Sequence, residues 1–350
     1  MNKKIVFKIK KNIYSIFIEA NSIEKNLNKI LLKKENNIFL IDKKVFYIFK
    51  KLKNYKKQKY IIINCSEKLK SFENFANISE KILKLGIDRK SRIIAIGGGT
   101  LGDLSGFIAS TILRGIDLIL FPTTLLSQVD SSIGGKNGIN TKNGKNLIGT
   151  FFQPKSVFID PAILSTLPKR EILSGYAEIV KHGLINDIEF FYWLNKNSKK
   201  ILNLNNKILS EAIYKSIIIK RKYVLKDEKE KLTNKFSRAI LNFGHTFGHA
   251  LETYYKYNKK LTHGEAISIG MITASNLSNK LNYLSSKELE IIKLHFKDNK
   301  LPLTDVKTIN KKIFKIIQKD KKNTNGKINF VILKKIGSAF IIKNLKIEKI

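Results

Sequence analysis

The stretch RIIAIGGGTLGDLSGFIAS, residues 92–110, constrains the fold more than any other. Arg92 to Ile96 form an apolar run with no polar alternation, so a strand there is covered on both faces, as inside a parallel sheet. It runs straight into Gly97, Gly98 and Gly99, and from Thr100 the apolar residues take helical spacing. A strand, a glycine turn and a helix in that order make an α/β unit, with ligands expected beyond the carboxyl ends of the strands. Gly97, Gly99 and Gly102 match G-x-G-x-x-G. That pattern serves either a purely structural turn or close approach of backbone to a pyrophosphate at a helix N-terminus. Asp42 ends an earlier strand, where a carboxylate is placed to accept ribose hydroxyls. Asp103 reads either as a second nucleotide contact or as a helix cap.

The same alternation extends through the first half. The N-terminal twenty residues alternate apolar and polar and read as strands. Residues 36–42 and 60–65 are further buried strands, 43–54 has helical spacing, a helix follows to about Leu85, and 116–124 is another strand. Residues 122–154 hold five glycines with Arg114, Lys136 and Lys145 in or just before them. They read either as an anion-binding frame or as a flexible surface loop. From Pro161 onward helical spacing dominates, apart from an expected short strand pair within 326–341. These features predict a Rossmann-like α/β domain with a parallel sheet over 1–160 and a mainly α-helical domain over 161–350.

Three of the five histidines lie within residues 237–266. His245 and His249 are one helical turn apart and share a face, which Glu252 extends. Two histidines at that spacing present either two ligands to a zinc-type ion, or one ligand and one acid/base group to the same cavity; a polar helix surface is the plain alternative. His263, in His-Gly-Glu, adds a third imidazole close in sequence and favours a metal or catalytic site.

The formal charge is +38. The lysines are spread along the whole chain, whereas a phosphate-backbone binder concentrates them on one face. The expectation is therefore no specific nucleic-acid partner, with a positive field that still favours an acidic substrate. Cys65 is the single cysteine, which excludes a disulfide framework and fits a reducing, cytoplasmic setting. No long apolar span predicts a membrane helix, and no continuous apolar core marks a signal peptide at the N-terminus.

Taken together, GGGTLGDLSGFIAS, PTTLLSQVDSSIGGKNGIN, KNLIGTFFQP, LPKREILSGYAEIVKHGLI, LNFGHTFGHALE and HGEAISIGM resemble the 3-dehydroquinate synthase family. They run nearly continuously from 97 to 271 and in the family's order. The resemblance implies an NAD-binding Rossmann-like domain, a helical domain, and a catalytic divalent metal, Zn2+ or Co2+, in the cleft between them. The implied metal ligands are Glu178, His245 and His263, so the helical pair is divided and His249 faces substrate instead. NAD+ is implied on Gly97, Gly98, Gly99 and Asp103, with Asp42 on the ribose and Glu67 and Lys70 near the adenosine. Thr123, Thr124, Lys136, Lys145, Thr166, Leu167 and Glu171 complete the cofactor set. Substrate is implied on Arg114, Asp130, Lys136, Asn146, Lys181, Lys220, Arg238, Asn242 and His249, with a further contact from Lys321 or Lys322.

The implied substrate, 3-deoxy-D-arabino-heptulosonate 7-phosphate, carries a carboxylate and a phosphate, which accounts for so many cations. The implied course is transient oxidation by NAD+, β-elimination of phosphate, re-reduction and intramolecular aldol closure, with no net oxidation. A homodimer is also implied. Related cyclases that make inosose or valiolone products lack the substrate carboxylate, and Arg238 with Asn242 favours dehydroquinate synthesis over them; a metal-dependent polyol dehydrogenase is the other relative. The chain departs from the family in two places. Cys65-Ser66 replaces the usual glycine before Glu67, and residues 229–237 lengthen the segment ahead of Arg238, which bears on Lys220 and Arg238.

Overall fold

The structure is a computed structural model that describes residues 2–10, 12–32, 35–142, 144–256, 260–304, 311–319 and 328–345. The chain divides into two compact units, 1–167 with 209–217, and 168–208 with 218–350. The first ends a few residues beyond the boundary expected near 160, and it includes a later helical segment that sequence spacing did not assign to it.

The first unit contains β1 (Asn2–Ile9), β2 (Asn12–Glu19), α1 (Ile23–Leu31), β3 (Asn37–Asp42), α2 (Phe46–Lys50), β4 (Lys59–Ile63), α3 (Phe72–Lys84), β5 (Arg92–Gly97) and α4 (Gly99–Thr111). It continues with β6 (Asp117–Pro122), β7 (Lys136–Thr141), β8 (Gly144–Phe151) and β9 (Ser156–Ile159). Seven strands form one sheet in the order β1-β2-β9-β6-β5-β3-β4. Only the β1–β2 pair is antiparallel. Every residue of β3 and of β5 is buried, which is why both read in sequence as unbroken apolar runs. Because the five strands from β9 to β4 are parallel, the turns after β3, β5, β6 and β9 gather at one end of the sheet.

One sequence expectation changes here. The described residues of 122–154 hold a wide helical turn, Ser127–Ser131, followed by the β7–β8 hairpin. Their strands carry Gly, Asn and Lys instead of an apolar alternation, so a period of two does not reveal them. The helix begun at Gly99 stops at Thr111, and Ile112–Arg114 forms a tight turn with Leu113 and Arg114 at positive φ of 50° and 67°.

The second unit contains α5 (Lys169–Asn186), α6 (Ile188–Leu202), α7 (Asn206–Lys226), α8 (His245–Tyr254), α9 (His263–Lys280), α10 (Ser286–Asp298), α11 (Lys311–Lys319), β10 (Ile328–Lys335) and β11 (Ser338–Leu345). The middle of α7, residues 209–217, belongs to the first unit, where Glu211 pairs with Lys3 of β1 at 2.5 Å. α5 is buried from Ser174 through Ile185, and α9 is nearly as enclosed, so both are interior helices of a bundle. The expected strand pair is present as the β10–β11 hairpin. It is tied to α9 by the Leu333 N–H, which donates to Ser278 Oγ at 3.0 Å.

Candidate functional site

In the first unit the glycine turn is shaped by what stands around it. A Cβ on Gly97 would lie 3.2 Å from Asp42 Cβ, one on Gly98 would lie 3.0 Å from Thr124 Cγ2, and one on Gly99 would overlap Ser131 Oγ at 2.6 Å. Thr123 N–H donates to Gly97 O at 3.0 Å. The glycines therefore let Asp42, Thr123 and Thr124 close around the start of α4. Gly98 caps that helix without a side-chain hydrogen bond, and its first turn has no acid, so its N–H groups and positive dipole end suit an anion. Gly102, by contrast, faces open space.

Asp103 does not cap α4. Its carboxylate takes the buried Lys70 ammonium at 2.6 Å, and Lys70 also donates to Asn146 Oδ1. Asn140 joins the same cluster: its side chain donates to Glu67 Oε1 at 2.8 Å and its N–H to Lys70 O at 2.8 Å. Lys145 stands 3.9 Å from Glu67. Glu67, Lys70, Asp103, Lys145 and Asn146, scattered in sequence, are thus one polar cluster that fastens the β7–β8 hairpin beside α4. Asp130 lies on the wide turn and Lys136 opens β7. Thr166 and Leu167 follow β9 on a 3-10 turn beyond the same carboxyl end. Arg114 does not join them. It is exposed on the α4–β6 connection, at the amino end of the parallel strands.

In the second unit three helices bring one carboxylate and two imidazoles together. Glu178 of α5 is fully buried, and its Oε1 stands 3.6 Å from His245 Nε2 and 3.4 Å from His263 Nε2. Neither carboxylate oxygen has a hydrogen-bond partner among the described residues, and Lys181, one turn on, lies against Oε2 as its charge partner. Donors about 2.1 Å from a tetrahedral ion stand roughly 3.4 Å apart, so the separations to Oε1 fit a zinc-type ion. Each ring's far nitrogen has its own acceptor. His245 Nδ1 faces Phe243 O at 3.2 Å and His263 Nδ1 faces Glu252 Oε1 at 3.3 Å, so in both rings Nε2 is the nitrogen turned towards Glu178.

The electrostatics set the two imidazoles apart. Burial alone raises the Glu178 carboxyl, but Lys181, His245 and His263 outweigh it and hold the group well below its ordinary range. Burial and the Lys181 cation push His245 well down, towards the neutral form a ligand needs. Burial also works against charge on His263, yet Glu252 and Glu178 overcome it and raise His263 to about 10 in the metal-free site.

α5 meets the start of α9 at three successive turns. Arg170 reaches Glu265 with two bonds of 2.7 and 2.6 Å, Ser174 Oγ accepts from Gly264 N–H at 3.0 Å, and Glu178 faces His263. The i, i+4, i+8 stripe of one helix thus grips residues 265, 264 and 263 of the other. The only signal in the sequence is that Arg170 and Ser174 sit eight and four residues ahead of Glu178.

His249 stays outside the trio. It is exposed, its ring centre 5.2 Å from that of His245, and it groups with Glu252 and His263 instead. Lys181, Lys220 and Arg238 are all buried cations of this unit. The lengthened segment before Arg238 is folded onto Asp227, which accepts from the N–H groups of Lys231, Leu232 and Arg238 at 2.7, 3.2 and 2.9 Å. Glu230 of that segment accepts from Asn242 at 2.7 Å, and Glu228 O accepts from Arg238 Nη1 at 2.7 Å. The insertion thereby orients Asn242 through Glu230, whereas Arg238 is held by Asp227 and Glu228 just ahead of it. Glu171 lies in the first turn of α5. Lys321 and Lys322 lie outside the described residues.

A Rossmann-like unit with an anion-ready glycine turn is thus joined to a helical unit with a Glu-His-His cluster that could hold a metal ion, a two-part α/β and α-helical fold. Solved structures match that fold. They include 2-epi-5-epi-valiolone synthase from Streptomyces hygroscopicus subsp. jinggangensis 5008 with NAD+ and Zn2+ bound, with a TM-score of 0.87 and 23% identity over 99% of this chain and 96% of that one. 2-Deoxy-scyllo-inosose synthase, solved with carbaglucose-6-phosphate, NAD+ and Co2+, matches with a TM-score of 0.79 and 24% identity over 98% and 96%. In sequence, the models for the 3-dehydroquinate synthase N-terminal and C-terminal domains match residues 60–174 and 175–323. The 3-dehydroquinate synthase of Pelagibacter ubique strain HTCC1062 is 47% identical over 93% of this chain and 90% of its own length. The chain belongs to the 3-dehydroquinate synthase family.

Proposed function

We propose that this chain converts 3-deoxy-D-arabino-heptulosonate 7-phosphate to 3-dehydroquinate and phosphate, with a divalent ion held by Glu178, His245 and His263 and NAD+ held at the Gly97–Gly99 turn. The observation that carries the reading is the buried Glu178 carboxylate without hydrogen-bond partners, faced by two imidazole Nε2 atoms at ligand spacing. When bound, NAD+ accepts and returns a hydride while the ion, Zn2+ or Co2+, polarises the oxygen at the carbon being oxidised.

The chain's own residues supply charge and position. Lys181 keeps Glu178 ionised in a dry setting, so the carboxylate is ready as a ligand at neutral pH. Arg238, steadied by Glu228 O, presents a planar fork suited to the substrate carboxylate, and Asn242 assists it. Lys220, Lys136 and Asn146 attract its anionic groups, with Lys321 or Lys322 adding a contact. Asp42 takes the ribose, with Thr123, Thr124, Lys145, Thr166, Leu167 and Glu171 around the cofactor. His249, beyond the ligand trio, holds the substrate side. The phosphate is its own good leaving group, so the larger contribution of the protein is positioning.

We place the enzyme in the cytoplasm as a homodimer. No helix among the described residues is long and apolar enough to cross a membrane. Arg114 is exposed at the amino end of the parallel strands, the opposite end of the sheet from the glycine turn. Light scattering on the purified protein tests the dimer, and a monomer at assay concentration would defeat that part of the proposal. For the reaction, the full chain is incubated with the heptulosonate phosphate, trace NAD+ and Zn2+, and phosphate and dehydroquinate are followed. Stoichiometric release without net NADH is expected. No phosphate release with both cofactors supplied defeats the proposal, and net NADH with polyols would make the chain a dehydrogenase.

A further inference from the structure

We propose that Glu252 is the positioning residue of the metal centre: its buried carboxylate holds His263 Nδ1 and so determines where His263 Nε2 presents its lone pair. This rests on the ligand reading given above. The two imidazoles of the trio are oriented in different ways. His245 Nδ1 is held by a main-chain carbonyl two residues back, Phe243 O, so its support comes with the local backbone. His263 has no such local support. It is the first residue of α9, and its side chain is 29% exposed. Its Nδ1 instead meets Glu252 Oε1 at 3.3 Å, from the far end of α8.

Glu252 is placed for this by helical period. Residues 245, 249 and 252 share a face of α8, one contributing a ligand, one an exposed ring and one a carboxylate of 5% exposure. The His263 ring therefore bridges two carboxylates, Glu178 on Nε2 and Glu252 on Nδ1. With the Glu252 carboxylate removed, no other side chain among the described residues takes Nδ1. The ring is then free to turn about its bonds, and the tautomer with Nε2 unprotonated is no longer selected. Carboxylates behind a ligating histidine contribute about 10- to 100-fold in metal affinity.

The test uses the full chain stripped of metal and titrated with Co2+ alone against a chromophoric chelator, with visible spectra of the loaded forms and circular-dichroism melts as the fold control. The wild type is expected to take one Co2+, and Glu178→Gln to lose it. Glu252→Ala is expected to bind about 10- to 100-fold more weakly with a shifted ligand-field spectrum and an unchanged fold. Glu252→Gln, which keeps an acceptor oxygen, is expected to fall between the two. Wild-type affinity and spectrum in a folded Glu252→Ala would overturn the proposal while leaving the ligand reading intact. So would a wild type that takes two Co2+ ions of which Glu252→Ala loses only the second, since His249, Glu252 and His263 would then be a site of their own. A wild type that binds no Co2+ overturns the ligand reading and this proposal with it.

Discussion

Replacing Gly264 with alanine tests whether the packing of α5 on α9 assembles the metal centre. A Cβ at 264 would lie 2.2 Å from Ser174 Cα, 2.5 Å from its carbonyl oxygen and 2.6 Å from its Oγ. The first two are main-chain atoms of a buried helix and cannot rotate away. Ordinary contact begins at 3.4 Å, so the start of α9 must retreat from α5 by about 1.2 Å, the difference between 3.4 and 2.2 Å. That retreat breaks the buried 3.0 Å bond from Gly264 N–H to Ser174 Oγ, worth about 1 kcal/mol. Overpacking adds about 1–3 kcal/mol, so a destabilisation of about 2–4 kcal/mol is expected. The same shift carries His263 away from Glu178, and a displacement near 1 Å far exceeds the ~0.2 Å tolerance of a metal–ligand bond. Chemical denaturation followed by helical signal measures the first effect, and Co2+ titration of the folded variant measures the second. Gly264→Ala with wild-type stability and wild-type Co2+ affinity would refute the claim that this contact sets the ligand geometry.

Three further outcomes follow from the same structure. His245→Ala should abolish metal binding, whereas His249→Ala should keep the metal and slow turnover; equal metal loss in both, measured by elemental content after dialysis, would contradict the division of roles. Gly102→Ala should stabilise α4 by about 0.5–1 kcal/mol, because its Cβ enters open space within a helix, yet weaken NAD+ binding if backbone and cofactor approach there. Unchanged NAD+ affinity by calorimetry would leave Gly102 without a cofactor role. His295, buried against Tyr176 at 3.1 Å, is lowered by burial from 6.5 to about 4. Its neutral form is favoured in the fold, so stability is complete above pH 6.5 and falls as pH drops towards 4, by up to about 3 kcal/mol. Urea midpoints across that range should show the loss, and His295→Gln should flatten it.

Much of the first unit is legible in the amino-acid sequence. β3, β5 and β6 are covered on both faces, so burial writes itself into the sequence as unbroken apolar runs, and the strand–glycine–helix order locates the anion-ready turn. The β7–β8 hairpin is not legible. Its register depends on α4 and on the Lys70 cluster, which are distant partners that no local periodicity encodes. The four-residue β9 escapes for the same reason, since it exists as a strand only between β2 and β6.

For the proposed metal centre, the sequence by itself determined the chemistry available and its neighbourhood: imidazoles at helical spacing, with a carboxylate-bearing motif matched to a family. Which nitrogens and oxygens converge was decided by tertiary structure alone. Helical period reports the angle of a side chain about its own axis, and by that measure His245 and His249 are equivalent. Convergence on a point depends on how α5, α8 and α9 cross, and those crossings are set by contacts such as Gly264 against Ser174. They bring His245 and His263 to Glu178 and leave His249 outside with Glu252.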